Sequence, residues 1–382
     1  MRNVLYTITA LFLLSFFAGC SSNEIVQQGA TTNVEGSKAD SHGLYYYLPK
    51  TVIDVQVIAE KRVEKAGPFY RFAGRFLNLS DLITEDVEEW RIVGANISVS
   101  SVPDPDRLFR VTTQGVPAMA ALELTDEGIL KSINIRDNLK SDAISVNGGE
   151  RDYDTDLKSF GDLSDVISLN DLTFDDTPYT GEQLVRSSTT AMAEEASREI
   201  GYLRENRTRL IDGDFEILPP DGAAYEILLN EIDKKENAYL DLFRGKSTRE
   251  RYVKSYQFIP SADKSLNATL LRFSHRNGFL DRDDVSGTPV YINIKTDKDG
   301  GVNLIDEEVV ERREDPKRGV AYCMPAVAEV SIVDRTLTLV TREVYLGQFG
   351  HILRLPEDLF DGDNSGALFN PTTGALKQVV RW

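Results

Sequence analysis

The chain has 382 residues, 41% apolar and 27% charged, a globular composition that excludes global disorder and a collagen-like chain. At about 100–200 residues per domain, that length suits two or three domains and is ample for a sizeable core. The 61 acidic residues against 43 basic ones give a formal charge of −18, which repels nucleic acid and anionic lipid and argues against a phosphate-backbone binder.

Residues 1–20 read MRNVLYTITALFLLSFFAGC: one base (Arg2), a mostly apolar stretch from Val4 to Phe17, then small Ala18 and Gly19 before Cys20. That is the tripartite plan of an export signal, with a cysteine beside the cleavage point. The apolar run falls short of the ~20 residues of a membrane span, so we read a removable signal. FAGC resembles the lipobox of bacterial lipoproteins, with Phe17 where a leucine-like residue is usual. The resemblance implies lipidation: the Cys20 thiol is diacylglycerated, the preceding peptide removed and the new amine acylated. At about 0.8 kcal/mol per buried methylene, three chains anchor a protein far beyond single-myristoyl binding. Ser21, where inner-membrane lipoproteins carry aspartate, implies the outer membrane. SSNE offers only Glu24 as an acid, so the periplasmic and cell-surface faces both stay open. Once Cys20 is acylated, Cys323 is the one thiol left and no intramolecular disulfide forms.

Residues 21–42 are polar and aperiodic, which reads as a flexible tether. A first β domain is expected over 43–148. Ile53, Val55, Val57 and Ala59 alternate with Val52, Asp54, Gln56 and Ile58, as a strand requires. Pro68 opens a short helical patch whose Phe69, Phe72, Ala73, Phe76 and Leu77 share one face. Strands follow near Trp90–Val99, Leu108–Thr113, Met119–Leu124 and Gly128–Ile135, and the sequence PDPD at 103–106 is read as a turn between them. Residues 149–185 are an acidic loop or linker, with ten acids and two bases between Glu150 and Glu182. Residues 186–246 predict a helical hairpin, broken by Pro219 and Pro220 and ended by Gly245. A second β domain covers 247–382, with strands near Tyr252–Ile259, Ala268–Phe273, Val290–Ile294, Val320–Val333, Leu337–Tyr345 and Ala375–Val380.

Two pieces of the first β region recur, in order, in the second. Gly43, Tyr46 and Pro49 match Gly319, Tyr322 and Pro325; Gly128, Leu130 and Lys131 match Gly374, Leu376 and Lys377. We read a duplicated β domain, with chance similarity between hairpins as the alternative. The expected fold is therefore α+β and mainly β: two β-sandwich-like domains, an internal duplication, joined by an acidic loop and a helical hairpin.

YYLPKT with its following strand, the GPF helix start, VPDPD, YLDLFRGK and NPTTGALK resemble the Bacteroidota lipoprotein family catalogued as domain of unknown function 4831. The resemblance spans most of the chain after the signal. It implies an exported lipoprotein of a Bacteroidota envelope and brings no catalytic residues with it.

Residues for chemistry are sparse. His42, His275 and His351 are the three histidines, no two close in sequence, and HExxH and CxxC are absent. Cys323, in the alternating YCMPAV, reads as a small buried hydrophobe. No nucleophile elbow, phosphate loop or dinucleotide fingerprint appears, and 61 acids single out no glycosidase-like pair. DGDNSG supplies Asp361, Asp363 and Ser365 as in the first half of a calcium loop, but Thr372 stands where the bidentate glutamate belongs. A solvated acidic turn is the reading and calcium the alternative. A weaker match begins at Asp297, with Glu308 at the twelfth position. Tyr45, Tyr46 and Tyr47 with Phe69, Phe72 and Phe76 read as core rather than as a ligand-facing surface.

No catalytic residue and no cofactor are assigned. The expectation is a lipid-anchored envelope protein that binds or assembles, its partners being the membrane through Cys20 and an outer-membrane complex. The alternative is a surface hydrolase acting on glycans or peptides through acidic residues.

Overall fold

A computed structural model describes residues 44–111, 122–135, 157–160, 166–174, 188–214, 222–261, 267–296, 319–356, 359 and 365–381. Among the described residues, thirteen strands build three sheets. The first has the order β2 (Val87–Val111), β1 (Leu44–Lys65), β6 (Lys246–Phe258), β5 (Leu157–Ser159). The second runs β11 (Leu337–Leu355), β10 (Val320–Asp334), β9 (Thr288–Thr296), β7 (Asn267–Ser274), β8 (Gly278–Leu280). The third runs β13 (Leu376–Arg381), β12 (Ser365–Phe369), β4 (Leu130–Ile133), β3 (Leu122–Leu124). Neighbours are antiparallel except β5, which lies parallel to β6. The α+β, mainly β class holds. Strands from 43–148 and 247–382 are interleaved, because β6 pairs with β1 and β12 with β4.

One core lies between the first two sheets, filled by Ile53, Val55 and Val57 of β1 against Val290, Ile292 and Val330 of β9 and β10. A second core joins Tyr46, Leu48 and Ala321 to Leu130, Ile133 and Phe369 of the third sheet. The long strands β1 and β10 each serve two cores by changing phase at a proline. In β1 Tyr46 and Leu48 are buried before Pro49; after it Thr51, Ile53, Val55, Val57 and Ala59 are, with Val52 enclosed beside them. In β10 Ala321 and Cys323 are buried before Pro325, then Ala328, Val330 and Ile332. The pairing register shifts at both places, between Tyr47 and Pro49 and between Met324 and Ala326. An extra residue in a ladder turns every later side chain to the other face, and a bulge is where a residue without an N–H is tolerated.

The matching segments are built alike. The Tyr47 N–H donates to the Gly128 carbonyl at 2.9 Å, and the Cys323 N–H to the Gly374 carbonyl at 2.8 Å. Gly128 (φ 85°) and Gly374 (φ 75°) close their hairpins in the left-handed region, where a Cβ costs roughly 1–2 kcal/mol. The third strand of each half also agrees: β6 pairs with β1, and β9 with β10, only beyond the proline.

The PDPD expectation is corrected. Residues 103–106 do not separate two strands but form a bulge inside β2: Pro49 pairs with Pro103 while Tyr47 pairs with Leu108. Lys50 and Arg107 draw Asp104 into the fold, where it is buried, and this satisfies the carboxylate without a chain reversal.

The described part of the acidic stretch is a strap rather than a bare linker. Phe160 donates its N–H to the Val253 carbonyl and lies among Trp90, Tyr252 and Phe279. Further along, the Ile167 N–H bonds the Tyr252 hydroxyl, and Lys65 and Lys246 hold the Leu172 and Thr173 carbonyls.

The helical expectations hold. Phe69 enters a 3-10 turn (Tyr70–Phe72) and α1 (Ala73–Leu77), which pack on α2 (Thr189–Asp212) and α3 (Gly222–Arg244). Met192, Ala193, Ala196 and Ile200 form the buried stripe of α2, and α3 stops at Gly245. Arg204–Glu236 (2.6 Å) and Arg207–Asp233 (3.2 Å) link the two helices.

Candidate functional site

The residues that carry chemistry gather in two places. The first is a buried junction where β1, β2, β11 and the β12–β13 hairpin meet. The proline bulge turns the Thr51 side chain inward, and its hydroxyl donates to the Thr372 carbonyl (3.1 Å) while accepting the Gly347 N–H (3.1 Å). Gln348 reads the Thr51 backbone as a neighbouring strand would: its carbonyl accepts the Thr51 N–H (2.9 Å), and its amide donates to the Thr51 carbonyl (2.9 Å). Arg107, left unpaired with β1 by the bulge in β2, donates to the Gly347 and Gln348 carbonyls at 2.9 and 2.7 Å.

Cys323 belongs to this junction. Its thiol is buried and donates to the Gly347 carbonyl at 3.0 Å. Burial pushes the thiol up to about 11, against a smaller opposing pull from Arg107. A nucleophile needs thiolate, so a thiol held neutral suits packing and not attack. The junction is a cross-brace between the two halves of the chain.

The remaining expected residues are scattered. His275 lies beside a turn as expected, its Nδ1–H donating to the Trp90 carbonyl at 2.8 Å with Nε2 3.5 Å from Glu89. His351 is exposed on β11. Among the described residues, no group of three or more His, Cys, Asp or Glu is placed to hold a metal. Ser365 opens β12, and its hydroxyl donates to the Leu359 carbonyl. Asp361, Asp363, Asp297, Glu308, His42 and Cys20 lie outside the described residues, as does the tether. Tyr46 and Phe69 are core as expected, whereas Tyr45 is exposed.

The second place is the outer face of the first sheet. Odd residues of β1 beyond Pro49 face the core, so Glu60, Arg62 and Glu64 face outward. The register sets Glu89 of β2 and Arg249 of β6 beside Arg62, and Arg91 and Arg251 beside Glu60. Arg91 reaches Glu60 at 3.1 Å and Arg251 reaches it at 3.9 Å. Arg62 holds Glu89 at 2.9 Å and Glu64 at 3.6 Å. Glu60, Arg62, Glu89, Arg91 and Arg249 line an open cleft of about 90 Å³. Its polar walls come from three hydrogen-bonded strands.

This face was not visible in sequence. The segments EKRVE (60–64), EEWR (88–91) and RER (249–251) each carry acids and bases close together. Only the pairing of strands nearly 200 positions apart brings them together.

The structure also supplies no helix long and apolar enough to cross a membrane among the described residues. No curated protein and no solved structure matches the chain. The family model for the domain of unknown function DUF4831 matches residues 42–377, which spans both long helices and all the strands up to the start of β13. The chain belongs to the DUF4831 family.

Proposed function

We propose that this protein is a lipid-anchored envelope component, held at the outer membrane through acyl chains on Cys20, and that it binds or assembles rather than catalyses. Its anchoring is supported by the FAGC lipobox and the polar stretch from 21 to 42. The observation that carries the binding role is the charged face of the first sheet. Its ion pairs fix side chains on three strands around an open cleft, a preorganised surface that loses little freedom on binding. The hydrolase alternative asks for a carboxyl free to protonate a leaving group. Glu60 and Glu89, the two acids of the cleft, are instead both held by arginines.

Two measurements test this reading. Cys20→Ala should move the protein from the membrane to the soluble fraction, and retention at the membrane would remove the anchor. Crosslinked purification from native membranes should recover a partner that Glu60→Arg loses. An unchanged set of crosslinks in the Glu60→Arg protein would count against this face. Protease treatment of intact cells then reports whether the body is at the cell surface or in the periplasm.

A further inference from the structure

We infer that the cleft on the outer face of the first sheet is an oxyanion site, with Arg249 and Arg62 as its two forks. The inference rests on the reading of this face as the ligand-facing surface and names the chemistry it recognises.

Two observations point the same way. Arg249 lies directly across from Arg62 in the β1–β6 register. Like charges directly opposite each other in a ladder are destabilising. Among the described residues, Glu89 and Glu64 neutralise Arg62, while no carboxylate lies within ion-pair distance of Arg249. Arg249, an exposed guanidinium without a carboxylate in reach, and the half-buried Arg62 thus line the same cleft.

An oxyanion supplies the counter-charge that Arg249 lacks and relieves its like-charge contact with Arg62. Guanidinium presents its N–H groups in a planar fork that matches carboxylate, sulfate and phosphate. Neighbouring strands lie about 4.7–4.9 Å apart, so forks on β1 and β6 can share the oxygens of one anion. The rim sets a limit on the ligand. Glu60 and Glu89 flank the forks, and the chain as a whole carries −18, so a polyanion is repelled where a single anionic group is admitted. The occupant is therefore one carboxylate, sulfate or phosphate group on a ligand that is otherwise not strongly acidic.

The test uses the purified full chain in detergent. Acetate, sulfate and phosphate are titrated separately against chloride at constant ionic strength, with melting temperature and calorimetry as readouts. At least one oxyanion should bind saturably and raise the melting temperature above the chloride series; which one responds separates planar from tetrahedral ligands. Arg249→Gln should weaken that binding at least about tenfold, the loss expected for a charge-assisted hydrogen bond. In chloride alone it should melt no lower than the parent, because it removes a like-charge contact. Lys295→Gln, on the second sheet, should leave the response intact. No saturable oxyanion response, an undiminished response in Arg249→Gln, or a lower chloride melting temperature in that variant would each overturn the site. If anions fail to bind while Glu60→Arg still strips a crosslinked partner from the anchored protein, the oxyanion assignment alone falls.

Discussion

Tyr46 shows how much one hydroxyl contributes here. Its ring is buried in the second core, and its hydroxyl donates to the Ala321 carbonyl (3.0 Å) while accepting the Ala321 N–H (2.8 Å). β9 pairs with β10 only from Ala328 onward, so the hydroxyl stands in for a missing strand neighbour. Tyr46→Phe keeps the ring and strips both partners from a buried peptide group. It should cost about 1–3 kcal/mol in chemical denaturation, with far-UV circular dichroism unchanged. Cys323 makes a pH prediction. Burial favours its neutral form, lifting the thiol from its ordinary value near 9 to about 11. Below that ordinary value the thiol is protonated in both states and its contribution is fully present. As pH rises toward about 11, the unfolded chain gives up the proton first and stability is lost. Burial also raises Tyr46 and Tyr256, whose loss starts from the ordinary tyrosine range near 10. Alkaline denaturation of Cys323→Ala should therefore begin about one pH unit later than in the parent.

At the scale of elements, local pattern was readable where one residue type decides the outcome. Strict alternation marked β1, β9 and β10, the helical stripe marked α2, and Gly245 marked the end of α3. The matching prolines and glycines revealed the repeated arrangement, because a bulge and a left-handed turn restrict the residue itself. PDPD misled for the converse reason: a proline–aspartate run suits a bulge as well as a turn, and the partner strand chooses between them. The acidic stretch misled by composition. Its charge concealed Phe160, which settles 4.9 Å from Phe279 and 5.7 Å from Trp90, centroid to centroid. β5 offers only three residue pairs to β6, so Phe160 must supply most of the hold on the strap. Phe160→Ala should raise amide exchange across 157–160 and 166–174 while leaving β1 and β6 protected. Uniform protection in that variant would show that the lysine and tyrosine contacts of the strap suffice without the ring.

For the whole molecule, the decisive fact is that residues far apart in sequence complete one another's sheets. Residues 246–258 are zipped along β1 from Ile53 to Lys65, and the hairpin β12–β13 is joined to β4. Arg107 and Gln348 then brace the first half to the second through half-buried hydrogen bonds. Pairings of this kind were beyond the sequence, since alternation says which face a strand buries and nothing of its neighbour. They also couple the halves energetically. Removing 247–382 would leave β1 without β6 and Tyr46 without Ala321, with edges and apolar faces open to water; removing 43–148 does the same to β10 and β12. The two β regions should therefore unfold together. Trp90 sits in the core between the first two sheets, so in a Trp382→Phe background its fluorescence should track that core, while far-UV circular dichroism tracks all three sheets. The two probes should give coincident urea transitions, and Tyr46→Phe should shift both by the same amount. Separately expressed 43–148 and 247–382 should fail to fold alone. Two resolved transitions, or one fragment with a cooperative melt of its own, would mean that the shared sheets form only after independent halves have folded.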